Sequence, residues 1–501
     1  MTLRELLDRA AAADPSRPYL LHGGASVPLG HLVQGVDALA TSLHALGVRR
    51  DDHVALLLPN RPEFIYVWFA LATLGAVTVP LDPALTRREL HEALLHADAV
   101  ALVTDAARLE VAAAAREGTG VRWMATADDA PPGGYGLADL LAGPVGRRPD
   151  APRDDRAVAA IVYTSGTTGA PRGILKTHRS YTRVAEAVVG WLEATPADRV
   201  FVCLPLFHTN AQVYGVLSSL ACGGSLALET RFSASRFWDQ VTASGATLFT
   251  YLGTMLTALA RAFPTPAERW HDLRAGIGGG ATAAVERVFC DRFGVRLVEL
   301  YALAETSTVT VRPLAASGPA GSAGWPTPWC RVRLLDEAGG DAAPGSVGEI
   351  AVAAADVLTP GYYKDPAGTA ASRRGEWFLT GDLGRLDARG ALHVVGRKTD
   401  RIRCRGEWVA PIEVESVLLA HPAVAEAAVV GRPSELGDEE VCAVVVPADG
   451  AAVSADELRA FCRARLAPYK VPAVIELREA LPKTATEKVR RRALREVGRG
   501  A

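Results

Sequence analysis

The chain has 501 residues, of which 49% are hydrophobic and 22% charged, and its net charge at pH 7 is −2. This length allows two or more domains, and the composition is typical of a globular protein rather than a disordered one. The near-neutral charge gives no reason to expect a nucleic-acid partner. Seven scattered cysteines without a Cys-x-x-Cys pair favour reduced thiols in the cytoplasm over disulfides or a zinc site.

The first 140 residues alternate helical and strand patterns, which predicts parallel βαβ units. Apolar residues recur at helical spacing over residues 32–46, and residues 53–59 read as a strand. The uncharged run at residues 64–81 has about the length of a membrane span. A glycine, a threonine and a proline interrupt it, so we expect a buried helix followed by a buried strand, and no membrane segment. The first residues lack the apolar core of a signal peptide.

Residues 163–173 read Tyr-Thr-Ser-Gly-Thr-Thr-Gly-Ala-Pro-Arg-Gly. This density of hydroxyls, glycines and one cation predicts a phosphate-binding loop, because glycine lets amides approach an anion and the polar side chains bind its oxygens. The spacing excludes the P-loop of kinases, in which Lys and Ser or Thr follow two glycines five positions apart. Apolar residues 157–162 and the two that follow the loop predict strands on either side of it. A helix is expected to begin near Thr177, with Ser180 or Thr182 as its cap.

This loop resembles the phosphate-binding signature of the adenylate-forming superfamily, which includes acyl- and aryl-CoA ligases, adenylation domains of peptide synthetases, and luciferase. Glu487 before Lys488, and the segment Phe-His-x-Asn-Ala-Gln, resemble the branch of the crotonobetaine/carnitine-CoA ligases. Six further motifs occur in the family's order along nearly the whole chain: Leu204-Pro-Leu-Phe-His208, Gly276-Ile-Gly-Gly-Gly280, Tyr301-Ala-Leu-Ala-Glu305, Thr380-Gly-Asp382, Gly396-Arg397 and Leu481-Pro-Lys-Thr-Ala-Thr-Glu-Lys488.

The resemblance implies an α/β fold with a large N-terminal domain of stacked α/β subdomains and a small mobile α+β C-terminal domain. The AMP-binding domain would cover residues 1–396. The mobile domain, which carries the catalytic lysine, would cover residues 401–501. A highly charged segment separates them, and the hinge would lie at residues 397–400, with Thr399 and Asp400 as its pivot. The pattern of the tail agrees with a small α+β domain: a helix at 411–420, strands at 424–430 and 439–446, a helix at 454–465 and a strand at 473–477.

The resemblance also implies which residues bind the nucleotide. Tyr301 would stack on adenine, although a buried core tyrosine is the alternative. Asp382 would accept both ribose hydroxyls, with an ordinary turn aspartate as the alternative, and Arg397 would contact the ribose and the hinge. The full set is Thr164, Ser165, Gly166, Thr167, Thr168, Gly169, Arg172, Gly279, Gly280, Tyr301, Asp382 and Arg397.

Two charged residues are expected to carry the chemistry of adenylation, in which two anions meet and pyrophosphate leaves. By resemblance, Lys488 bridges the substrate carboxylate and the phosphate; the alternative is a solvated lysine in a basic tail. Glu305 resembles the family's Mg²⁺ ligand, as suits a hard carboxylate; the alternative is a carboxylate at a helix N-terminus.

The acyl pocket is implied at His208, Asn210, Gln212, Gly278 and Ala302. α-Amino-acid adenylation domains carry an aspartate at the corner where this chain has His208, so a free α-amino acid is disfavoured. His208 is also a weak candidate for the base that accepts the proton of a thiol. Asn210 and Gln212 either face polar groups of the substrate or cap the next helix.

Several positions depart from the family pattern. Arg172 stands where lysine is usual, an exchange that a phosphate contact tolerates. Ala302 adds a methyl group that would narrow the pocket, and Ala304 removes a hydroxyl that usually contacts the α-phosphate, for which Thr306 is a candidate substitute. Thr399 occupies the usual Asp or Lys of the hinge.

The predicted function is that of an ATP- and Mg²⁺-dependent acid–thiol ligase. It would adenylate a small or medium carboxylic acid and, after rotation of the C-terminal domain, transfer the acyl group to CoA. One alternative keeps the adenylation and passes the acyl group to a separate carrier protein or a nitrogen nucleophile. An alternative of another class is a non-catalytic nucleotide-binding protein. The sequence identifies neither the acid nor the oligomeric state.

Overall fold

A computed structural model describes seven stretches of the chain: residues 1–144, 154–164, 172–404, 407–433, 439–448, 450–483 and 489–496. The chain divides into two compact units. The first comprises Met1–Arg331 and Ala353–Phe378, and the second Val332–Val352 and Leu379–Ala501. Among the helices that these stretches form, none combines the length and the apolar character that crossing a membrane requires.

The described part of the first unit contains twelve α-helices: α1 (Leu3–Ala13), α2 (Leu29–Ala45), α3 (Pro62–Leu74), α4 (Arg87–His96), α5 (Leu109–Ala115), α6 (Leu137–Leu141), α7 (His178–Trp191), α8 (Ser218–Ala221), α9 (Phe237–Ser244), α10 (Gly253–Arg261), α11 (Ala283–Phe293) and α12 (Pro366–Ala371). A π-helix at Ala211–Leu217 leads directly into α8. Wider helical turns of this kind are rare and often occur at functional sites.

Two sheets of this unit are built from the first sixteen strands: β1 (Pro18–His22), β2 (Ala25–Pro28), β3 (His53–Leu56), β4 (Val77–Pro80), β5 (Ala99–Thr104), β6 (Trp123–Thr126), β7 (Tyr135–Gly136), β8 (Val158–Thr164), β9 (Arg172–Thr177), β10 (Arg199–Val202), β11 (Ser225–Leu228), β12 (Leu248–Leu252), β13 (Ala275–Gly279), β14 (Arg296–Leu303), β15 (Ser307–Arg312) and β16 (Trp325–Pro326).

The strand order is β7-β6-β5-β3-β4-β8-β9 in one sheet and β16-β15-β14-β13-β12-β10-β11-β1-β2 in the other. Strands β3 to β6 pair in parallel, as do β10 to β14, which confirms the predicted βαβ units. Strands β8 and β9 pair antiparallel, with Thr164 opposite Arg172, so the phosphate loop joins two strands as predicted.

The apolar run at residues 64–81 is the buried helix α3 followed by the buried strand β4, as expected. Helix α7 begins one residue after Thr177, and the Thr177 hydroxyl accepts a hydrogen bond from the backbone N–H of Ser180. The sequence prediction of Ser180 or Thr182 as the cap is therefore wrong. Strand β9 continues up to Thr177, which places the capping side chain where the strand ends.

The remaining strands and helices, most of which lie in the second unit, are, in chain order: β17 (Cys330–Leu335), β18 (Gly348–Ala354), β19 (Arg373–Arg374), β20 (Trp377–Leu386), β21 (Leu392–Arg397), β22 (Ile402–Cys404), β23 (Glu407–Val409), α13 (Pro411–Leu419), β24 (Val424–Pro433), β25 (Glu439–Pro447), α14 (Ala455–Arg463), β26 (Val474–Leu477) and α15 (Arg491–Glu496). The predicted helices and strands of the tail are all present. Strands β24, β25 and β26 form one sheet, whose core includes Val429, Val441, Ala443 and Leu458.

Strand β13 is nearly without side chains, which lets its neighbours approach closely. A Cβ atom at Gly276 would lie 2.2 Å from the ring of Phe249. At Gly278 it would lie 2.1 Å from the carbonyl oxygen of Tyr251, and at Gly279 it would lie 2.7 Å from a carbonyl oxygen of β14. These distances are below van der Waals contact, so the Gly-Ile-Gly-Gly sequence is what the spacing of β12, β13 and β14 requires.

We expect Gly278→Ala to lower the free energy of unfolding by at least about 2 kcal/mol, because the backbone of Tyr251 must move away from the new methyl group. Urea unfolding of the purified protein measures this. Gly190→Ala is the matched control: it lies in α7, and nothing is within 4 Å of an added Cβ. That control should be neutral or stabilise by about 0.4–1 kcal/mol. Equal stability of the two variants would contradict the assigned packing.

Candidate active site

Four neighbouring parallel strands of the larger sheet end at the same edge and carry the family motifs there. Their order in the sheet is β14-β13-β12-β10. The segment containing His208 follows β10, Gly253 follows β12, Gly280 follows β13, and the turn with Glu305 follows β14. Crevices outside the carboxyl ends of parallel strands are where ligands bind in open α/β sheets. The fold thus brings together motifs that lie about a hundred residues apart in the chain.

Glu305 lies in the turn between β14 and β15, so the alternative of a helix N-terminus is wrong. Its side chain is half-buried, and its Oε1 accepts a hydrogen bond of 3.2 Å from the hydroxyl of Tyr362. Its backbone carbonyl accepts a bond of 2.7 Å from the N–H of Thr359. The guanidinium of Arg172 lies 5.2 Å from the centre of the Tyr362 ring. Tyr362 therefore connects the cation at the end of the phosphate loop to the carboxylate.

The chemistry of Glu305 fits the proposed Mg²⁺. Among the residues that the structure describes, no three His, Cys, Asp or Glu side chains gather into a group that could hold a metal ion by themselves. Mg²⁺ is commonly bound through one or two carboxylates together with substrate phosphates rather than in an all-protein cage. A single half-buried carboxylate, bonded to a tyrosine that also contacts Arg172, matches that mode, in which ion and nucleotide bind together.

Lys176 is a buried cation on β9, only 2% exposed. Its Nζ donates to the carbonyl oxygen of Ala304 at 3.0 Å and to Oγ of Ser307 at 2.6 Å, on either side of Glu305. The ammonium also lies 5.8 Å from the centre of the Tyr181 ring. Burial lowers the pKa of Lys176 to about 8, and the nearby Glu305 acts in the opposite direction.

Glu299, on β14, belongs to a buried polar network at the base of the site. Its Oε1 accepts hydrogen bonds from the backbone N–H groups of Gly280 and Ala281, and its Oε2 lies 2.8 Å from the hydroxyl of Tyr251. That hydroxyl is also 3.0 Å from the carbonyl oxygen of Val298, which can only accept. Since Tyr251 has one hydroxyl hydrogen, both contacts are satisfied when Glu299 is protonated and donates to Tyr251. Burial indeed raises the pKa of Glu299 to about 8.

The predicted pocket residues on the segment after β10 have different surroundings. His208 is half-buried, and its ring centre lies 4.3 Å from that of Phe207. Gln212 is buried: its Oε1 accepts a bond of 2.7 Å from the Tyr181 hydroxyl, and its Nε2 donates to the carbonyl of Leu206 at 2.7 Å. The Gln212 amide therefore fixes the corner that carries His208. Its role in the pocket stays a prediction.

Asn210 occupies the position before the π-helix, but its side chain makes no capping bond. Instead, Nδ2 donates to the carbonyl oxygen of Tyr251 at 3.2 Å. Because that carbonyl can only accept, the orientation of the amide is fixed, and Oδ1 points away from it. Oδ1 is buried and has no hydrogen-bond partner among the described residues.

Tyr301 and Ala302 lie at the end of β14, where the pairing with β15 shifts register between the two residues. Tyr301 is 7% exposed and opposite Thr310, and Ala302 is half-buried and opposite Thr308. Thr306, the candidate substitute for the hydroxyl that Ala304 lacks, is fully buried, and its hydroxyl donates to the backbone of Ser307 at 3.3 Å. The roles of these residues toward substrate and nucleotide stay predictions.

In the second unit, Asp382 lies inside strand β20 and not in a turn, so the turn alternative is wrong. Gly381 before it has φ +71°, a left-handed conformation that glycine adopts without strain. Arg397 is directly opposite on β21, and its Nε is 3.1 Å from Oδ1 of the aspartate. The two residues that the sequence assigns to the ribose are thus adjacent.

The predicted pivot, Thr399 and Asp400, lies in a short 3₁₀ helix directly after β21. The carboxylate of Asp400 is 3.9 Å from Arg491 and 4.0 Å from Arg495, both on α15. The predicted lysine Lys488 and five residues of the phosphate loop lie outside the described residues: Ser165, Gly166, Thr167, Thr168 and Gly169.

Sequence reasoning missed Lys176, Tyr251, Glu299, Thr359 and Tyr362. For Lys176 a signal was present. The chain has only six lysines among 54 basic residues, and this one directly follows the apolar pair Ile174-Leu175. Glu299 offered a similar signal, since a carboxylate between Val298 and Leu300 has no amphipathic pattern to place it on a surface. The others carry no local signal, because their partners are distant in sequence.

The sequence pattern described as AMP-binding enzyme matches residues 7–363, and that of the AMP-binding enzyme C-terminal domain matches residues 413–488. The chain belongs to the family of AMP-binding enzymes. It is 36% identical to a feruloyl-CoA synthase of Amycolatopsis over 494 residues, 96% of each chain. It is 33% identical to the probable CoA ligase CCL9 of Humulus lupulus (99% of this chain, 96% of the other) and 30% identical to a crotonobetaine/carnitine–CoA ligase of Escherichia coli (93% and 92%).

Solved structures give the same result. The ATP-bound MatB of Rhodopseudomonas palustris superposes with a TM-score of 0.90 at 28% identity and covers 99% of both chains. A benzoate CoA ligase of Burkholderia xenovorans superposes with a TM-score of 0.91 at 25% identity, covering 99% of this AMP-binding enzyme and all of the other chain (100%). The predicted superfamily, α/β fold class and general reaction are therefore confirmed: ATP-dependent adenylation of a carboxylic acid and transfer of the acyl group to CoA, with ATP, Mg²⁺ and CoA required.

The buried Glu299 predicts a pH dependence of stability. Its pKa is about 8 in the folded protein, against an ordinary value of 4.5. Between these values the unfolded chain has lost the proton that the folded protein keeps, so the stability contributed by this proton falls as the pH rises from about 5 to 8. Glu299→Gln keeps the shape and donates to Tyr251 without titrating. As the pH is raised from 5 to about 8, the melting temperature of the wild type should fall relative to that of this variant. Above about pH 8 the difference between them should stay constant.

Glu268→Gln is the control for that measurement. An ion pair with Arg292 lowers the pKa of Glu268, so its stabilisation is already complete at pH 5 and above. This variant should melt below the wild type by an amount that does not change between pH 5 and 9. A constant offset for Glu299→Gln as well would contradict a protonated Glu299.

Proposed function

We propose that this AMP-binding enzyme is a CoA ligase for aromatic carboxylic acids that carry a hydrogen-bond donor. The single observation that carries the site assignment is the arrangement at the ends of β9 and β14, where Tyr362 contacts both Arg172 and Glu305. It supports an assignment in which the Arg172 cation and the Glu305 carboxylate, the proposed Mg²⁺ ligand, act on the phosphates, as stabilising the charge of adenylation requires.

In the first step, a carboxylate oxygen of the acid attacks the α-phosphorus of ATP and pyrophosphate leaves. Arg172 and the hydroxyls of the loop bind phosphate oxygens, and Lys488 bridges the acid and the phosphate. Glu305 would hold Mg²⁺, which would supply positive charge against the phosphates. Asp382 accepts the ribose hydroxyls, and Tyr301 stacks on adenine. The other predicted nucleotide contacts keep their roles: Thr164, Ser165, Gly166, Thr167, Thr168, Gly169, Gly279, Gly280 and Arg397.

In the second step, the sulfur of CoA attacks the acyl carbon, the bond to the phosphate oxygen breaks and AMP leaves. The thiol proton must be lost, and His208 is the candidate base. Between the steps, residues 397–400 act as the hinge, so that domains at 1–396 and 401–501 rearrange around Thr399 and Asp400. A cytoplasmic location agrees with the seven free cysteines.

Two observations support the substrate class. Two of the relatives, the feruloyl-CoA synthase and an indoleacetate–CoA ligase of Aromatoleum aromaticum that is 33% identical, are named for acids with aromatic groups. The second is the buried, unpartnered Oδ1 of Asn210. A buried acceptor without a partner is destabilising, and a ligand donor that displaces the groups covering it would remove that penalty. Asn210, Gln212, Gly278 and Ala302 are the predicted pocket residues, together with His208.

Adenylate trapping tests the reaction. With ATP, Mg²⁺ and hydroxylamine, we expect hydroxamates from hydroxylated aromatic acids, a loss of about 100-fold or more in Lys488→Ala, and normal activity in the control Lys364→Met. Parallel reactions with CoA in place of hydroxylamine should give acyl-CoA. Hydroxamate without acyl-CoA would instead favour a carrier protein or a nitrogen nucleophile. Bound ATP without product from any acid would favour a non-catalytic nucleotide-binding protein.

Asn210→Leu tests the substrate class. The ratio of kcat/KM for 4-hydroxycinnamate to kcat/KM for 4-methylcinnamate should fall several-fold. This corresponds to a loss of about 0.5–1.5 kcal/mol of transition-state stabilisation, the contribution of one neutral hydrogen bond. Gln240→Leu is the control: it removes an amide on α9 that donates to the Glu229 carboxylate, and it should leave the ratio unchanged. An unchanged ratio in Asn210→Leu would exclude Asn210 as the acceptor for the ligand.

A further inference from the structure

Lys176 lies in the strand that leaves the phosphate loop, at a place where a charged side chain is unexpected. Strand β9 begins at Arg172, and four residues later Lys176 pairs with Ala160 in the ladder with β8. The residues before it are Ile174 and Leu175, and it is 2% exposed. Removing an ammonium group from water is unfavourable unless its donors are paired. A buried lysine is therefore expected to have hydrogen-bond acceptors for its N–H groups.

The ammonium of Lys176 has two hydrogen-bond acceptors and an aromatic ring nearby. It donates to the carbonyl oxygen of Ala304 at 3.0 Å and to Oγ of Ser307 at 2.6 Å. The centre of the Tyr181 ring lies 5.8 Å from the ammonium nitrogen. An arginine at this position would bring five N–H groups to two acceptors. Lysine's compact ammonium is the cation that this space satisfies, in a chain that otherwise prefers arginine.

The two acceptors are the two ends of the turn that carries Glu305. Ser307 has φ +56°, a left-handed conformation that is unfavourable for a residue with a side chain. Its hydroxyl receives the lysine and donates to the carbonyl of Val357 at 3.3 Å. Without a donor at position 176, the Ala304 carbonyl and the Ser307 hydroxyl would each lose the hydrogen bond from the lysine in a largely buried turn.

A second set of bonds ties the same strand to the same turn. Thr359 donates its N–H to the carbonyl oxygen of Glu305 at 2.7 Å and its hydroxyl to the carbonyl of Leu175 at 2.7 Å. Lys176 thus contacts residues on both sides of Glu305, namely Ala304 and Ser307. Leu175 is connected through Thr359 to the backbone of Glu305 itself. The strand that ends the phosphate loop thus sets where Glu305 is held.

We propose that Lys176 is a positioning residue for adenylation: its ammonium clamps the turn from Ala304 to Ser307 and holds Glu305 where the metal ion and the ATP phosphates meet it. This rests on the proposed function in one respect, the assignment of Glu305 as the Mg²⁺ ligand. Lys176 itself is enclosed by protein and does not contact the substrates. It acts by fixing the backbone and by placing a positive charge behind the carboxylate.

The test measures binding of ATP by calorimetry, with Mg²⁺ and with EDTA, and needs no acid and no turnover. In Lys176→Met, which keeps the length of the side chain, the gain in ATP affinity on adding Mg²⁺ should fall about tenfold, with affinity in EDTA unchanged. Steady-state adenylation should show kcat reduced about tenfold and the KM for the acid within twofold. Lys364→Met removes an ammonium that pairs with Asp98 at the surface, and it should behave like the wild type.

Ser307→Ala keeps the lysine and removes one of its partners. We expect a loss of the Mg²⁺-dependent gain in the same direction, about threefold. The double variant should be no worse than Lys176→Met alone, because residues that act through one contact are not additive. If Lys176→Met does not fold, as circular dichroism would show, Ser307→Ala decides the question by itself.

A Mg²⁺-dependent gain within twofold of the wild type in Lys176→Met, or in Ser307→Ala where it alone decides, would overturn the proposal. Additive effects in the double variant would also overturn it, since the lysine would then act elsewhere. A wild type whose ATP affinity does not respond to Mg²⁺ at all would overturn the assignment of Glu305, and the role of Lys176 with it. If Mg²⁺ raises the ATP affinity of the wild type and of Lys176→Met equally, the proposed function stands and only the role of Lys176 is excluded.

Discussion

The close approach of three parallel strands is the constraint on which the site depends. Strand β13 has glycine wherever its neighbours would collide with a side chain, so β12 and β14 lie against its backbone. Because parallel strands in register end at one edge, their following segments arrive at one place. For this reason, motifs that are separated in the sequence, from His208 to Glu305, lie close together in the fold. A bulkier β13 would separate these segments even though their own residues were unchanged.

Two glutamates on the same strand and turn illustrate how surroundings assign chemistry. Glu299 is enclosed, bonded to backbone amides and to Tyr251, and keeps its proton near neutral pH. Glu305, six residues later, is half-buried, and its charge acts on the nearby ammonium of Lys176. Glu299 is a structural element of the strand, whereas Glu305 is the proposed ligand of Mg²⁺. Desolvation by burial is what raises the pKa of Glu299.

A continuous chain of contacts links the two halves of the site within the first unit. Lys176 faces the ring of Tyr181, the Tyr181 hydroxyl donates to Gln212, and Gln212 donates to the backbone of Leu206 beside the corner with His208. The phosphate side and the acyl side thus share a packed connection. Each of these residues is held by the next, which limits how far either side can move independently.

The sequence was sufficient for the fold class, for the strands around the phosphate loop and for the elements of the tail, because those depend on local periodicity and on ordered motifs. The sequence identified the motifs that carry Glu305 and Asp382 but did not predict their local structure: one lies in a strand–strand turn and the other inside a strand. The cap of α7 was misplaced because β9 runs further than its apolar residues suggest. Lys176 and Tyr362 could not be assigned, since their partners lie 128 and 57 residues away and only the fold brings them together.

The π-helix at Ala211–Leu217 comes directly after Asn210, in the wall of the proposed pocket. A turn of this kind contains one residue more than an α-helical turn. Losing that residue from within the π-helical turn would restore α-helical winding while the residues on either side keep their hydrogen bonds, because an i→i+5 bond then becomes an i→i+4 bond. Asn210 would keep its bond to the Tyr251 carbonyl and Tyr214 its bond to Thr308, with one side chain fewer between them. The lining of the proposed pocket is therefore open to change by single-residue deletion as well as by substitution, with the sheet beneath left intact.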